Sequence, residues 1–239
     1  SLKSVRDGVP LMNDSLKAIQ AQAAPLVLDS AALAKPFGAA RVGEEQLVTL
    51  ENEFIKAQVS SKGGRVKSVV LKNEKNFDEG PVVLFDGNLN KFGFVFKANG
   101  ENINTNELNF VPQGGNVTAS GSSSQSVSFR LNYSDTQYLE YTYSIKGTDY
   151  NVALDVKAVG IQNLLAPKAN SIGLNWETTL LQKELNIKSE RERSTIFYKI
   201  LDGDVDYLSE TSDEKEKLEE KLSWVAFKQH FFSSVMSSK

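Results

Sequence analysis

Acid–base catalysis needs a group that titrates near the working pH, and this chain holds one histidine, His230, and no cysteine. No Gly-x-Ser-x-Gly elbow accompanies His230, so a Ser-His-Asp arrangement is not encoded. Zinc wants two or more His or Cys ligands, and beyond His230 only oxygen ligands remain in number. Asp202, Asp204 and Asp206 alternate in the run Leu201 to Tyr207 like the start of a calcium loop. The glycine expected after the third acid and the distal glutamate are missing, so the expectation is a turn with solvated carboxylates. Lys62-Gly63-Gly64-Arg65 has the glycines and cations of a phosphate cradle. No Lys-Ser/Thr follows it and no helix opens after it, which leaves a hairpin turn. The residues thus predict no catalytic group, no cofactor and no metal centre.

The elements that carry these residues read as mainly β. Ile55, Ala57 and Val59 alternate with Lys56, Gln58 and Ser60, the pattern of a strand buried on one face. The period recurs in Val127, Phe129, Leu131 and Tyr133, in Leu139, Tyr141, Tyr143 and Ile145, and in Val152, Leu154, Val156 and Ala158. Gly63-Gly64, Asp86-Gly87-Asn88, Asn99-Gly100, Ser134-Asp135 and Gly147-Thr148-Asp149 supply turns, since Gly, Asn and Asp tolerate positive φ. Gly114 to Ser126, rich in Gly and Ser, reads as an exposed loop. Short spacing and one wet face per strand favour antiparallel pairing in a two-sheet sandwich over residues 46–210.

The two ends differ in kind. Residues 1–45, with Pro10, Pro25 and Pro36 among alanines, read as a tether with one short helical pattern near Asn13 to Ala24. Residues 211–239 read as a helical segment, opened by a capping-box pattern of Thr211 and Glu214. At helical spacing Trp224, Val225, Phe227, Phe231, Phe232, Val235 and Met236 share one half of the wheel, with Lys228 inside the apolar arc. Trp224, Phe227, Lys228, Phe231, Phe232 and Met236 are therefore the candidate interaction or membrane-proximal surface. Burial of that face on the sandwich is the competing expectation, and it makes Phe231 a core residue.

Lys and Arg total 27 against 30 Asp and Glu, which gives no positive field for nucleic acid. No apolar run reaches the roughly 18 residues that span a bilayer, and the first residues lack the basic-then-apolar pattern of a signal peptide.

Leu47 to Leu71, a strand, a Gly-Gly turn and a second strand, resembles the opening of the extracytoplasmic domain of the YidC membrane protein insertases. Leu222 to Val235 is similar to the stretch that leads from that domain towards the membrane core. The resemblance runs over about residues 46 to 236 and treats Gly63, Gly64 and Arg65 as a structural turn. It implies a β-supersandwich like galactose mutarotase with a C-terminal helical segment, in the periplasmic portion of a bacterial inner-membrane protein. It implies a non-enzymatic role beside the membrane, supporting insertion and folding through contacts with the Sec translocon and its SecDF accessory. Nascent membrane proteins are the partners of the membrane core, which this chain does not contain. A carbohydrate-binding or mutarotase-like sandwich, with Tyr138 and Trp176 as stacking rings, is the alternative. A periplasmic assembly domain of other descent is a third.

Overall fold

The computed structural model describes residues 1–4, 30–164 and 172–238. In chain order its strands are β1 (Leu2–Ser4), β2 (Leu47–Glu51), β3 (Ile55–Ser60), β4 (Arg65–Lys75), β5 (Pro81–Phe85) and β6 (Lys91–Ala98). There follow β7 (Glu101–Asn104), β8 (Val111–Pro112), β9 (Val117–Thr118), β10 (Ser124–Asn132), β11 (Tyr138–Lys146) and β12 (Val152–Val159). The last are β13 (Gly173–Glu177), β14 (Thr195–Ile200), β15 (Val205–Tyr207), β16 (Glu214–Glu216), β17 (Leu222–Lys228) and β18 (Ser233–Ser237). Two short helices, α1 (Ser30–Leu33) and α2 (Ile187–Arg191), complete the main elements. The chain divides into a large unit, 25–75 with 81–179, and a small one, 1–24 with 76–80 and 180–239.

The large unit holds three sheets, ordered β5-β4-β3-β2-β9, β12-β11-β10-β8 and β13-β6-β7. Neighbours pair antiparallel except β2 with β9, which run parallel. The alternation expected of β10 and β11 is borne out: Val127, Phe129, Leu131, Leu139, Tyr141, Tyr143 and Ile145 are all buried. They share one core with Val48, Leu50 and Val59 from the first sheet and Phe96 and Ile103 from the third. Each such large side chain contributes roughly 1.5–3 kcal/mol of burial. The Gly114 to Ser126 stretch departs from the expected loop, since it contributes β9 and the first residues of β10. The third sheet owes its β6–β7 reversal to Asn99 and Gly100, at φ 48 and 83, the mirror-image turn that matches strand twist.

Two devices lock this unit. Asn52, 2% exposed, donates from Nδ2 to the carbonyls of Lys146 and Asp149 at 2.6 and 2.7 Å and accepts at Oδ1 from Phe54 and Ile55 N–H at 2.9 and 2.8 Å. One side chain thus ties the β2–β3 turn to the β11–β12 turn. At the other device Gly63 and Gly64 stand at φ 82 and 60 between β3 and β4. The Tyr143 hydroxyl donates to the Gly64 carbonyl at 2.6 Å, and burial pushes its pKa well up, so it stays protonated.

The segment expected as a tether contributes Phe37 and Ala40 to the core, Phe37 edge-on to Phe96. The helical pattern near residues 13–24 lies outside the described residues. The small unit carries the main correction: residues 211–238 form no helix. β16 pairs with β1, and β17 with β18 make a hairpin in the sheet β15-β14-β17-β18. Glu214 does reach back as a capping acid would, but to Ser209 N–H, closing a loop before a strand.

Candidate functional site

The β15-β14-β17-β18 sheet has two unlike faces, set by its register. Ile196, Tyr198, Val225 and Phe227 point into the small unit's core with Leu208. The alternate residues form rows on the other side: Tyr207, Phe197, Ala226 and Val235 across the four strands, then Val205, Lys199, Trp224 and Ser237. The outer strands of that face are wet, with Tyr207 53%, Val205 50% and Val235 60% exposed, while Ala226 at its centre is buried. A β-sheet usually puts polar residues on its solvent face. This one puts rings there.

The rings are organised. Phe197 and Tyr207 stack with centroids 4.9 Å apart and planes 20° apart. Lys228 Nζ lies 5.2 Å from the Phe197 centroid, a cation–π contact, and donates to the Arg193 carbonyl at 3.3 Å. Lys199 Nζ donates to the Gly203 carbonyl at 2.9 Å, so both lysines are tethered at the margins of the aromatic row. Asp202 and Asp204 lie in the β14–β15 turn and Asp206 in β15, where its Oδ1 accepts from the Tyr207 N–H at 2.8 Å. Among the described residues no three His, Asp or Glu side chains gather as a metal would need.

Of the candidates read from the sequence, Trp224 and Lys228 stand on this outer face. Phe227 lies on the inner face, and so does Met236, which pairs with Val225. Phe231 and Phe232 sit in the β17–β18 turn, where the Phe232 carbonyl accepts from Gln229 N–H at 2.8 Å. Phe231 is 70% exposed, which overturns the expectation that it is a core residue. Phe197, Tyr207 and Val205 escaped sequence reading, and Val235 was placed on the apolar arc but not on the candidate surface. The period-two runs Thr195 to Ile200, Val205 to Tyr207 and Ser233 to Ser237 were the signal that could have found them.

Beneath the turn, the side chains of Lys183, Glu190 and Gln229 are 4%, 3% and 5% exposed. Lys183 Nζ donates to Leu181 O at 2.9 Å and to Gln229 Oε1, and Gln229 Nε2 donates to Glu190 Oε1 at 2.8 Å. Burial pushes the Lys183 ammonium down to about 8 against the pull of Glu190. His230 Nδ1 lies 3.1 Å from both Glu184 oxygens and its ring packs on Phe231. Among the described residues no hydroxyl hydrogen-bonds to that ring, so the His–Glu pair lacks the nucleophile of a triad. Tyr138, offered as a sugar-stacking ring, is covered by the Arg130 guanidinium 4.3 Å from its centroid. Trp176 is half-buried on β13 opposite Phe92.

Residues 47–238 match the model of the YidC periplasmic domain. Relatives named membrane protein insertase YidC include that of Parabacteroides distasonis, 35% identical over 204 residues, covering 85% of this chain and 31% of the relative. That of Phocaeicola vulgatus is 36% identical over 217 residues, 91% of this chain and 33% of the relative. That of Cytophaga hutchinsonii is 30% identical over 201 residues, 83% and 31%. The chain thus spans about a third of the length of these relatives. Since the match starts with β2 and runs through β18, it takes in both the sheets of the large unit and the aromatic sheet, and the chain belongs to the YidC periplasmic domain family.

Proposed function

We propose that this chain is the non-enzymatic interaction domain of a membrane protein insertase, held beside the inner membrane and touching the Sec translocon and SecDF. Insertion itself belongs to membrane-embedded parts of the full-length protein, where nascent membrane proteins are handled. The observation that carries this reading is the outer face of the β15-β14-β17-β18 sheet, where a stacked Phe197–Tyr207 pair, Trp224 and Val235 stand exposed or half-exposed between two lysines. Aromatic residues flanked by cations are the composition of a protein-contact core with a polar rim. The family match supplies the setting.

A photo-crosslinking amino acid at Tyr207 or Val235 of the intact membrane protein tests this. Crosslinks to Sec translocon or SecDF subunits from both positions, and not from Val111 on the large unit, are the expected result. Crosslinks to lipid alone, or the same pattern from Val111, would overturn the reading.

A further inference from the structure

The large unit contains a cleft of about 560 Å³ that the interaction reading leaves unused. Every residue lining it is Asn, Lys, Arg, Glu or Gly, and six are asparagines. Ligand pockets are ordinarily lined by hydrophobic and aromatic side chains, so this lining favours a ligand rich in hydrogen-bonding groups over an acyl chain or an apolar peptide side chain.

The cleft's framework is rigid. Asn106 Oδ1 accepts from Phe92 N–H at 3.1 Å and Asn104 Oδ1 from Asn106 N–H at 3.2 Å. Asn90, 4% exposed, accepts at Oδ1 from the Thr178 hydroxyl at 2.5 Å. These amides serve the fold. Asn88 Nδ2 and Asn175 Oδ1, by contrast, have no hydrogen-bond partner among the described residues, and both residues line the cleft.

Arg65 is the decisive residue. It is 5% exposed, yet no carboxylate comes within 4 Å of its guanidinium among the described residues, and its two hydrogen bonds, to Gly87 O and Asn88 Oδ1, are long at 3.4 and 3.3 Å. A guanidinium has five N–H donors, and leaving a buried cation short of partners is costly. Glu45, the nearest acid to act on it, is already taken by the Lys67 ammonium at 2.7 Å and the Ser60 hydroxyl at 2.6 Å. With the ion-pair partners of the lining residues included, Lys67 on Glu45 and Glu177 on Lys91, four cations (Lys62, Arg65, Lys67 and Lys91) meet three acids (Glu45, Glu107 and Glu177) around the cleft. The balance is one positive charge, which suits a monoanion better than a phosphate dianion.

We infer that this cleft binds a hydroxyl-rich carboxylate of the acidic-sugar class, its carboxylate on Arg65 and its hydroxyls on Asn88, Asn175 and Lys62. Bidentate pairing with a planar carboxylate is what a guanidinium does best. The site is separate from the proposed Sec-contacting face, and neither reading depends on the other.

Titration of the isotope-labelled chain with D-glucuronate, followed by NMR, tests it. Saturable shifts at the Arg65 Nε–H and the Asn88 and Asn175 side-chain amides are expected, with D-glucose, acetate and glucose 6-phosphate each binding more weakly. Arg65→Lys should raise the dissociation constant by about tenfold or more, the loss of one charged hydrogen-bonding geometry. Asn88→Ala, at an exposed position and with the fold checked in the same spectra, should raise it by about threefold. Absence of saturation, equal binding of glucose or acetate, tighter binding of the phosphate ester, or unchanged affinity in Asn88→Ala would each overturn the inference.

Discussion

Gly64→Ala should unfold the large unit far more readily than Gly100→Ala, although both glycines stand at positive φ, 60 and 83. An alanine in the left-handed region costs about 1–2 kcal/mol at either position. At Gly100 nothing else is added, because a Cβ there meets no atom within 4 Å. At Gly64 the same Cβ comes to 3.0 Å from two Phe110 ring atoms and one of Tyr141. Those rings pack on each other with centroids 4.6 Å apart, and Tyr141 is fully buried, so neither can step aside. Overpacking of that kind adds about 1–3 kcal/mol. The total for Gly64→Ala is then about 2–5 kcal/mol, since the two costs fall on the same residue. The two tryptophans make the measurement clean. Trp176 belongs to the large unit and Trp224 to the small one, so a Trp224→Phe background reports the large unit alone. Urea unfolding followed by Trp176 fluorescence should show the Gly64→Ala midpoint about 1 M below that of Gly100→Ala. Midpoints within error of each other would show that the rings yield, and the packing argument for the glycine at this turn would fail.

Asn52→Ala removes four hydrogen bonds and leaves two carbonyls and two N–H groups without their partner, so the large unit should lose about 2–4 kcal/mol in the same fluorescence assay. In the small unit, Lys183 holds its proton less tightly when folded, at about 8, than the 10.5 of an ordinary lysine. Between those values the unfolded chain binds more protons, so stability rises with pH through that window, by about 3 kcal/mol in all. Lys183→Met should abolish the rise when Trp224 unfolding is followed in a Trp176→Phe background, whereas an unchanged slope would place the titrating group elsewhere.

What could be read from the sequence divides along a physical line. A turn that demands positive φ announces itself in two residues, as Asn99-Gly100 and Gly63-Gly64 did, and a half-buried strand does so in five or six, as Val127 to Leu131 did. Both are short-range properties, and β10 and β11 fell where the alternation put them. Trp224 to Phe227 is apolar at every position, and so short an unbroken run does not choose between period two and period 3.6. The choice was made by β14, which offers β17 an edge through Thr195 to Ile200, and by β1, whose three residues pair with Glu214–Glu216 from the opposite end of the chain. The good helix formers of Asp213 to Leu222 gave way because strand partners were available, and intrinsic propensity is weaker than such pairing. The same reasoning explains the mixed outcome for the surface residues. A helical wheel grouped Trp224 with Phe227, whereas in a strand residues three apart face opposite ways, so one went to solvent and the other to the core. Arg65 is the extreme case. Its neighbours in sequence mark it as part of a turn, but its burial is set by Gly87 and Asn88, and its cleft by asparagines from β7 and β13. A turn can be read from the residues that make it; a cleft has to be read from the strands that the turn brings together.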